Sequence, residues 1–127
     1  MIEISKNRTN DIPFDLEGIG GVPLEMAAGD KVRAKVSKTA GQATPDLELI
    51  SGANTPNGST VNLDTSASPP RATVRIAQAD AALLRDGPYV IELIFIDDSE
   101  LTPADAAKSL GMFPADSLPT QGGPITL

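Results

Sequence analysis

Leu83-Leu84-Arg85-Asp86-Gly87-Pro88-Tyr89-Val90-Ile91-Glu92-Leu93-Ile94-Phe95-Ile96 is the stretch whose reading decides the fold. From Tyr89 onward the residues alternate: Tyr89, Ile91, Leu93 and Phe95 fall on one face, and Val90, Glu92, Ile94 and Ile96 on the other. A period of two with β-branched and aromatic residues is strand patterning. Both faces are mostly apolar, which places this strand in the middle of a sheet, with one face in a core and the other partly covered. Asp86-Gly87-Pro88 just before it is turn chemistry, and Gly87 can take the positive φ that other residues resist. Gly87, Tyr89, Leu93 and Phe95 are therefore the candidate structural residues. The Tyr89 hydroxyl is expected to bond back to upstream backbone and pin the turn to the strand.

Working outward, Ala72, Val74 and Ile76 alternate with Arg71, Thr73 and Arg75, which predicts the preceding strand. The Ala- and Leu-rich run Gln78 to Leu84 predicts one or two helical turns at a corner between opposite sheets. Lys31 to Lys38 reads as a half-exposed strand, with Val32, Ala34 and Val36 inward and Lys31, Arg33 and Lys35 outward. Residues 47 to 63 read as a hairpin around the Gly- and Asn-rich run Ser51 to Gly58. Ile12, Phe14 and Leu16 alternate around Pro13, which cannot donate to a ladder, so that strand belongs at a sheet edge. Ile2 and Ile4 form a short first strand, and Val22 to Met26 another. Gly18-Ile19-Gly20-Gly21 lacks the Gly-Lys-Ser/Thr continuation of a phosphate loop and reads as a turn.

Downstream of the central strand, Asp97-Asp98-Ser99-Glu100 holds three carboxylates in four residues. Calcium favours such oxygens, but the alternating ligands and mid-loop glycine of a calcium loop are missing, so an acidic, solvated turn is expected. Thr102-Pro103 could open a short helix over 103–110, with Gly111 as its stop. The competing reading makes Ala106 to Ala115 the strand that pairs with the central one. Topology favours the strand, because sequential strands usually pair.

The chain has 127 residues, enough for one domain spanning 1–127. Its net charge of −7 argues against nucleic-acid binding, which wants a basic footprint. No run approaches the ~20 apolar residues of a membrane-spanning helix. Cysteine and histidine are both absent. That excludes disulfides, Ser-His-Asp and Cys-His nucleophiles, and zinc sites built on Cys and His. A non-enzymatic protein with no cofactor is the expectation. A carboxylate hydrolase built on Asp97 and Glu100 is disfavoured, since neighbours on a turn rarely hold the separation that glycoside chemistry needs. A carbohydrate- or receptor-binding module would display exposed aromatics. The four present, Phe14, Tyr89, Phe95 and Phe113, fall mostly at core positions.

These readings together give an all-β, immunoglobulin-like antiparallel β-sandwich of about seven to nine short strands with one or two short helical turns. The Leu-Leu…Gly-x-Tyr entry to the central strand is the pattern of a tyrosine corner. With Asn7-Arg8, Ala28-Gly29-Asp30-Lys31-Val32, Leu84 to Leu93 and Asp97-Asp98, the chain resembles immunoglobulin-like virion domains of tailed bacteriophages, typified by the N-terminal domain of baseplate upper proteins. The Cys…Trp…Cys set of antibody domains is missing. The resemblance implies a structural protein of the virion, made in the bacterial host cytoplasm, with no catalytic residues. Two positions in the particle fit: an accessory cement or decoration protein on the major capsid protein shell, or a tail, neck or baseplate component. Either implies a multi-copy or homo-oligomeric part. The candidate interface residues are the apolar ends Met1, Ile2, Ile4, Ile125 and Leu127, suited to strand addition, and the basic ribbon Lys31, Arg33 and Lys35.

Overall fold

Alternation in the sequence becomes alternation in burial, strand after strand. The computed structural model describes residues 2–17, 29–39, 42, 44–66, 69–97 and 107–118. Among these, the chain forms β1 (Ile2–Ile4), β2 (Asn10–Asp15), β3 (Lys31–Ser37), β4 (Leu47–Ile50), β5 (Thr60–Asp64) and β6 (Arg71–Ile76). It continues through α1 (Gln78–Ala81) into β7 (Gly87–Ile96) and β8 (Ala107–Ser117). In β3, Val32, Ala34 and Val36 are fully buried; in β6, Ala72, Val74 and Ile76; in β7, Tyr89, Ile91, Leu93 and Phe95 are buried.

Two sheets stack across this core, one ordered β1-β8-β7-β3-β4 and the other β2-β6-β5. The β2-β6-β5 and β3-β7-β8 triplets follow the B-E-D and C-F-G orders of the immunoglobulin sandwich, and β4 widens the second sheet. β7 pairs with β3 on one side and β8 on the other, so the octet from Tyr89 to Ile96 is internal to its sheet. Strand β2, carrying Pro13, lies at an edge as its proline demands. Helix α1 turns the chain from the small sheet to the large one.

Three readings from the sequence need correction. The sandwich is not wholly antiparallel, because β1 runs parallel to β8, with Ile2 opposite Ala115 and Ile4 opposite Ser117. Both strands finish at the end of the sandwich where the chain must turn into β2 in the facing layer. Residues 47 to 63 are not a hairpin: β4 pairs with β3, whereas β5 pairs with β6 in the other sheet. Ser51 is bound to β3 through both its N–H and its Oγ on the Val32 backbone, each at 3.0 Å. The Thr60 hydroxyl then donates to the Ile50 or Ala53 carbonyl, at 3.1 and 2.6 Å, and stitches the crossing between layers. Both Leu49 and Val61 reach the core this way, one from each sheet.

The strand expected over Ala106 to Ala115 as the partner of the central one forms as β8, and Gly111, a helix stop only in the competing reading, lies inside it opposite Leu93. The register slips there, with Leu93 facing Gly111 and Ile94 facing Ser109, so Leu110 is the extra residue of a bulge. Gly111 takes φ 145°, and a Cβ there would lie 3.3 Å from the Phe113 ring. The third correction is Ile4, expected at an interface. It has no exposed surface and packs in the main core, and Ile2 is partly buried against it. Once paired to β8, this strand turns its isoleucines inward. The strand predicted for Val22 to Met26, the turn at Gly18 to Gly21, the 103–106 part of the alternative helix over 103–110, and Asp98 to Glu100, Met1, Ile125 and Leu127 lie outside the described residues.

The corner before β7 forms as expected. The Tyr89 hydroxyl, on a side chain 97% enclosed, accepts a 2.9 Å hydrogen bond from the Arg85 N–H, and Gly87 adopts φ 110°. Tyr89→Phe should lower stability by about 1 kcal/mol, the small end for a lost hydrogen bond because Arg85 lies at the surface where water can replace the phenol. An unchanged urea midpoint would remove the corner from the list of stabilising contacts.

Candidate interaction surface

The two sheets turn very different faces outward. On the small sheet, β2 and β6 present Asp11, Pro13 and Asp15 beside Arg75, Thr73 and Arg71, in that register. The Arg75 guanidinium grips Asp11 with two bonds of 2.7 and 3.1 Å, and Arg71 meets Asp15 at 3.3 Å. Hydrogen bonding to Arg75 holds the Asp11 carboxyl below its ordinary value, and the same contact raises the arginine. This face is polar and internally neutralised, and suits solvent.

The outer face of the large sheet is mixed. Four of its five columns are the edge strand β4 and the inner strands β3, β7 and β8. One row crosses them as Ile50, Arg33, Ile94 and Ser109, and the next as Glu48, Lys35, Glu92 and Met112. Below lie Val90 and Pro114, which are opposite each other. Arg33 pairs with Glu48 at 3.1 Å, and Ser109 Oγ donates to Glu92 Oε2 at 3.0 Å. Lys35 stands between two glutamates in register but has no ion-pair partner among the described residues. Ile94 is buried although it points away from the core, and Met112 is 49% exposed, one of two large apolar side chains so open among the described residues. The sequence located the basic ribbon Lys31, Arg33 and Lys35 on this face. It did not show that Ile50, Ile94 and Met112 stand beside them, because those neighbours come from three other strands whose register only the sheet decides.

Two polar clusters escaped the sequence reading. Lys6 is buried, and its Nζ reaches Ser117 Oγ at 2.9 Å, the Leu118 carbonyl at 2.5 Å and Asp86 Oδ1 at 2.6 Å. It ties the β1–β2 turn to the end of β8 and to the corner before β7. A lysine in a Ser-Lys-Asn turn carries no signal of this role. Asp80 of α1 is also buried, and accepts hydrogen bonds from Thr55 at 2.7 Å, from Asn57 at 2.8 Å and from the Ser59 hydroxyl. Burial alone pushes this carboxyl up, but the bonds from Ser59, Asn57 and Thr55 outweigh it and hold it below the ordinary 3.8. An ionised, fully engaged carboxylate is an acceptor in a scaffold, poorly suited to give or take a proton.

Beside Asp80 a shallow cleft of about 330 Å³ opens, with Lys38, Leu83, Arg85 and Tyr89 among its walls. Lys38 Nζ stands 5.3 Å from the centre of the Tyr89 ring, within cation–π reach. Leu83 is 77% exposed at its rim. Among the described residues no three or more of His, Cys, Asp and Glu are grouped to hold a metal ion. No helix among them is long and apolar enough to cross a membrane. All four aromatics lie in the interior or against it; Phe14 and Phe113 pack at 4.8 Å with their rings tilted by 52°. No aromatic platform of the kind that stacks on sugar rings is therefore presented. Comparison with protein-family models, with curated proteins and with solved structures finds no match for this chain.

Proposed function

We propose that this protein is a non-catalytic structural component of a tailed-bacteriophage virion, an accessory protein that binds and reinforces the capsid shell. The observation that carries the binding role is the contrast between the two outer faces. One is closed by its own arginine–aspartate pairs, and the other mixes apolar side chains with unspent charge. A rigid sandwich with one such face suits attachment to other proteins. The virion setting is supported by the resemblance of the Leu84 to Leu93 corner and the flanking turns to phage immunoglobulin-like domains. That same resemblance favours a tail, neck or baseplate position as the second reading.

Copy number separates the two. Densitometry of this band against the major capsid band on a gel of purified particles should give on the order of hundreds of copies per virion for a shell protein. About a dozen or fewer would reject the shell and favour the tail, whose symmetry is low. Absence from washed particles would overturn the virion reading altogether.

A further inference from the structure

We infer that the outer face of the large sheet is a self-association surface, on which a second copy of this chain packs about a two-fold axis running along the strands between β3 and β7. The inference goes beyond the virion reading and stands whether or not the chain is found in a particle. Its basis is the charge order across the sheet. Lys35 and Glu92 are register partners in adjacent strands, and neither is engaged with the other. A two-fold axis lying in the plane of contact and midway between their strands exchanges the two columns. Lys35 of each copy then lies over Glu92 of the other, and both pairs form at once, as an isologous contact requires. The same rotation lays the Arg33 stem over Ile94 of the second copy, and the guanidinium stays on Glu48.

The makeup of the face agrees with this occupant. Ile94 and Val90 occupy its middle, Met112 and Pro114 stand exposed on one flank, and charge lies among them. Four strands about 4.8 Å apart and seven residues at about 3.3 Å each give a surface of roughly 20 by 23 Å in plan. With side-chain relief, that approaches the low end of what a specific interface covers on each partner. A generic acidic partner would satisfy Lys35 but leave Glu92 facing like charge. A copy of the same face satisfies both.

The test is sedimentation equilibrium on the intact chain. The parent protein should be dimeric at about 100 μM. Lys35→Glu alone and Glu92→Lys alone each convert both crossed pairs to repulsion, so each should weaken the dimer by about tenfold or more. An equimolar mixture of the two variants should form a heterodimer about as tight as the parent, since each copy then supplies the charge the other needs. The same rotation sets Met112 over Glu48 of the second copy, so Met112→Glu, at an exposed site whose substitution leaves the core untouched, should weaken dimerisation while keeping the parent's urea midpoint at dilutions where both are monomeric. A monomeric parent at about 100 μM, a mixture that stays as weak as its components, or a dimer indifferent to Met112→Glu would each overturn the inference.

Discussion

Leu93→Ala should lower stability by about 4 kcal/mol, towards the upper part of the range for buried leucines. Leu93 is 1% exposed in the middle of β7, and its register neighbours are Ala34 on β3 and Gly111 on β8. Ala34 and Gly111 offer almost no side chain of their own, and the Phe113 ring that lies over Gly111 is already packed on Phe14, so the space that alanine leaves is filled only in part. The residual cavity therefore stays large, and its volume is what sets the loss. Glu92→Ala one residue earlier points outward and should change stability by less than about 1 kcal/mol. Urea titration of both variants, with unchanged slopes, checks the contrast. If Glu92→Ala proved the more damaging, the assignment of inner and outer faces along β7 would be reversed.

Asp80→Ala should lower stability at neutral pH by about 3 kcal/mol, because it strands the donors of Thr55, Asn57 and Ser59 around a buried site. Ser59 is wholly enclosed, and its Oγ also accepts from the Ala77 N–H at 2.8 Å, so it cannot turn to water for relief. The loss would loosen α1 from the 55–59 turn and so disturb the corner that feeds β7. A pH dependence follows from the same contacts. The folded-state pKa of Asp80 lies below its ordinary 3.8, so the unfolded chain binds the proton more readily. The stabilisation is fully present above about pH 5 and disappears as the pH falls through the folded-state value. Asp11, lowered by Arg75 at an exposed site, adds to the slope in the same direction. Asp80→Asn should therefore flatten stability against pH in the acid range, leaving the part that Asp11 supplies. Equal acid slopes in parent and variant would show that Asp80 is not held ionised by its three donors.

Alternation made much of the sandwich readable before any coordinates. Val32, Ala34 and Val36, Ala72, Val74 and Ile76, and Tyr89 to Phe95 each declare an inner face, since a strand buried on one side must place apolar residues every second position. Pro13 announced an edge strand, and the Gly87–Tyr89 pair announced the corner. Gly111 left a helix stop open beside the expected strand because glycine relieves a bulge in a strand as readily as it ends a helix, and only the pairing with β7 separates those uses. The stretch from 47 to 63 misled because a hairpin and a crossing share one local pattern of two strands and a glycine-rich turn.

Local chemistry along the chain thus determined which segments are strands, which side of each is apolar, and where a backbone needs glycine or tolerates proline. Those properties depend on φ, ψ and a period of two, and neighbours in sequence suffice to express them. Tertiary structure alone decided which strands adjoin, and with that the parallel seat of β1, the burial of Lys6 and Asp80, and the row that sets Lys35 between Glu48 and Glu92. Such groupings join residues far apart in the chain, and they exist only after register and layer stacking bring separate strands within a few ångströms.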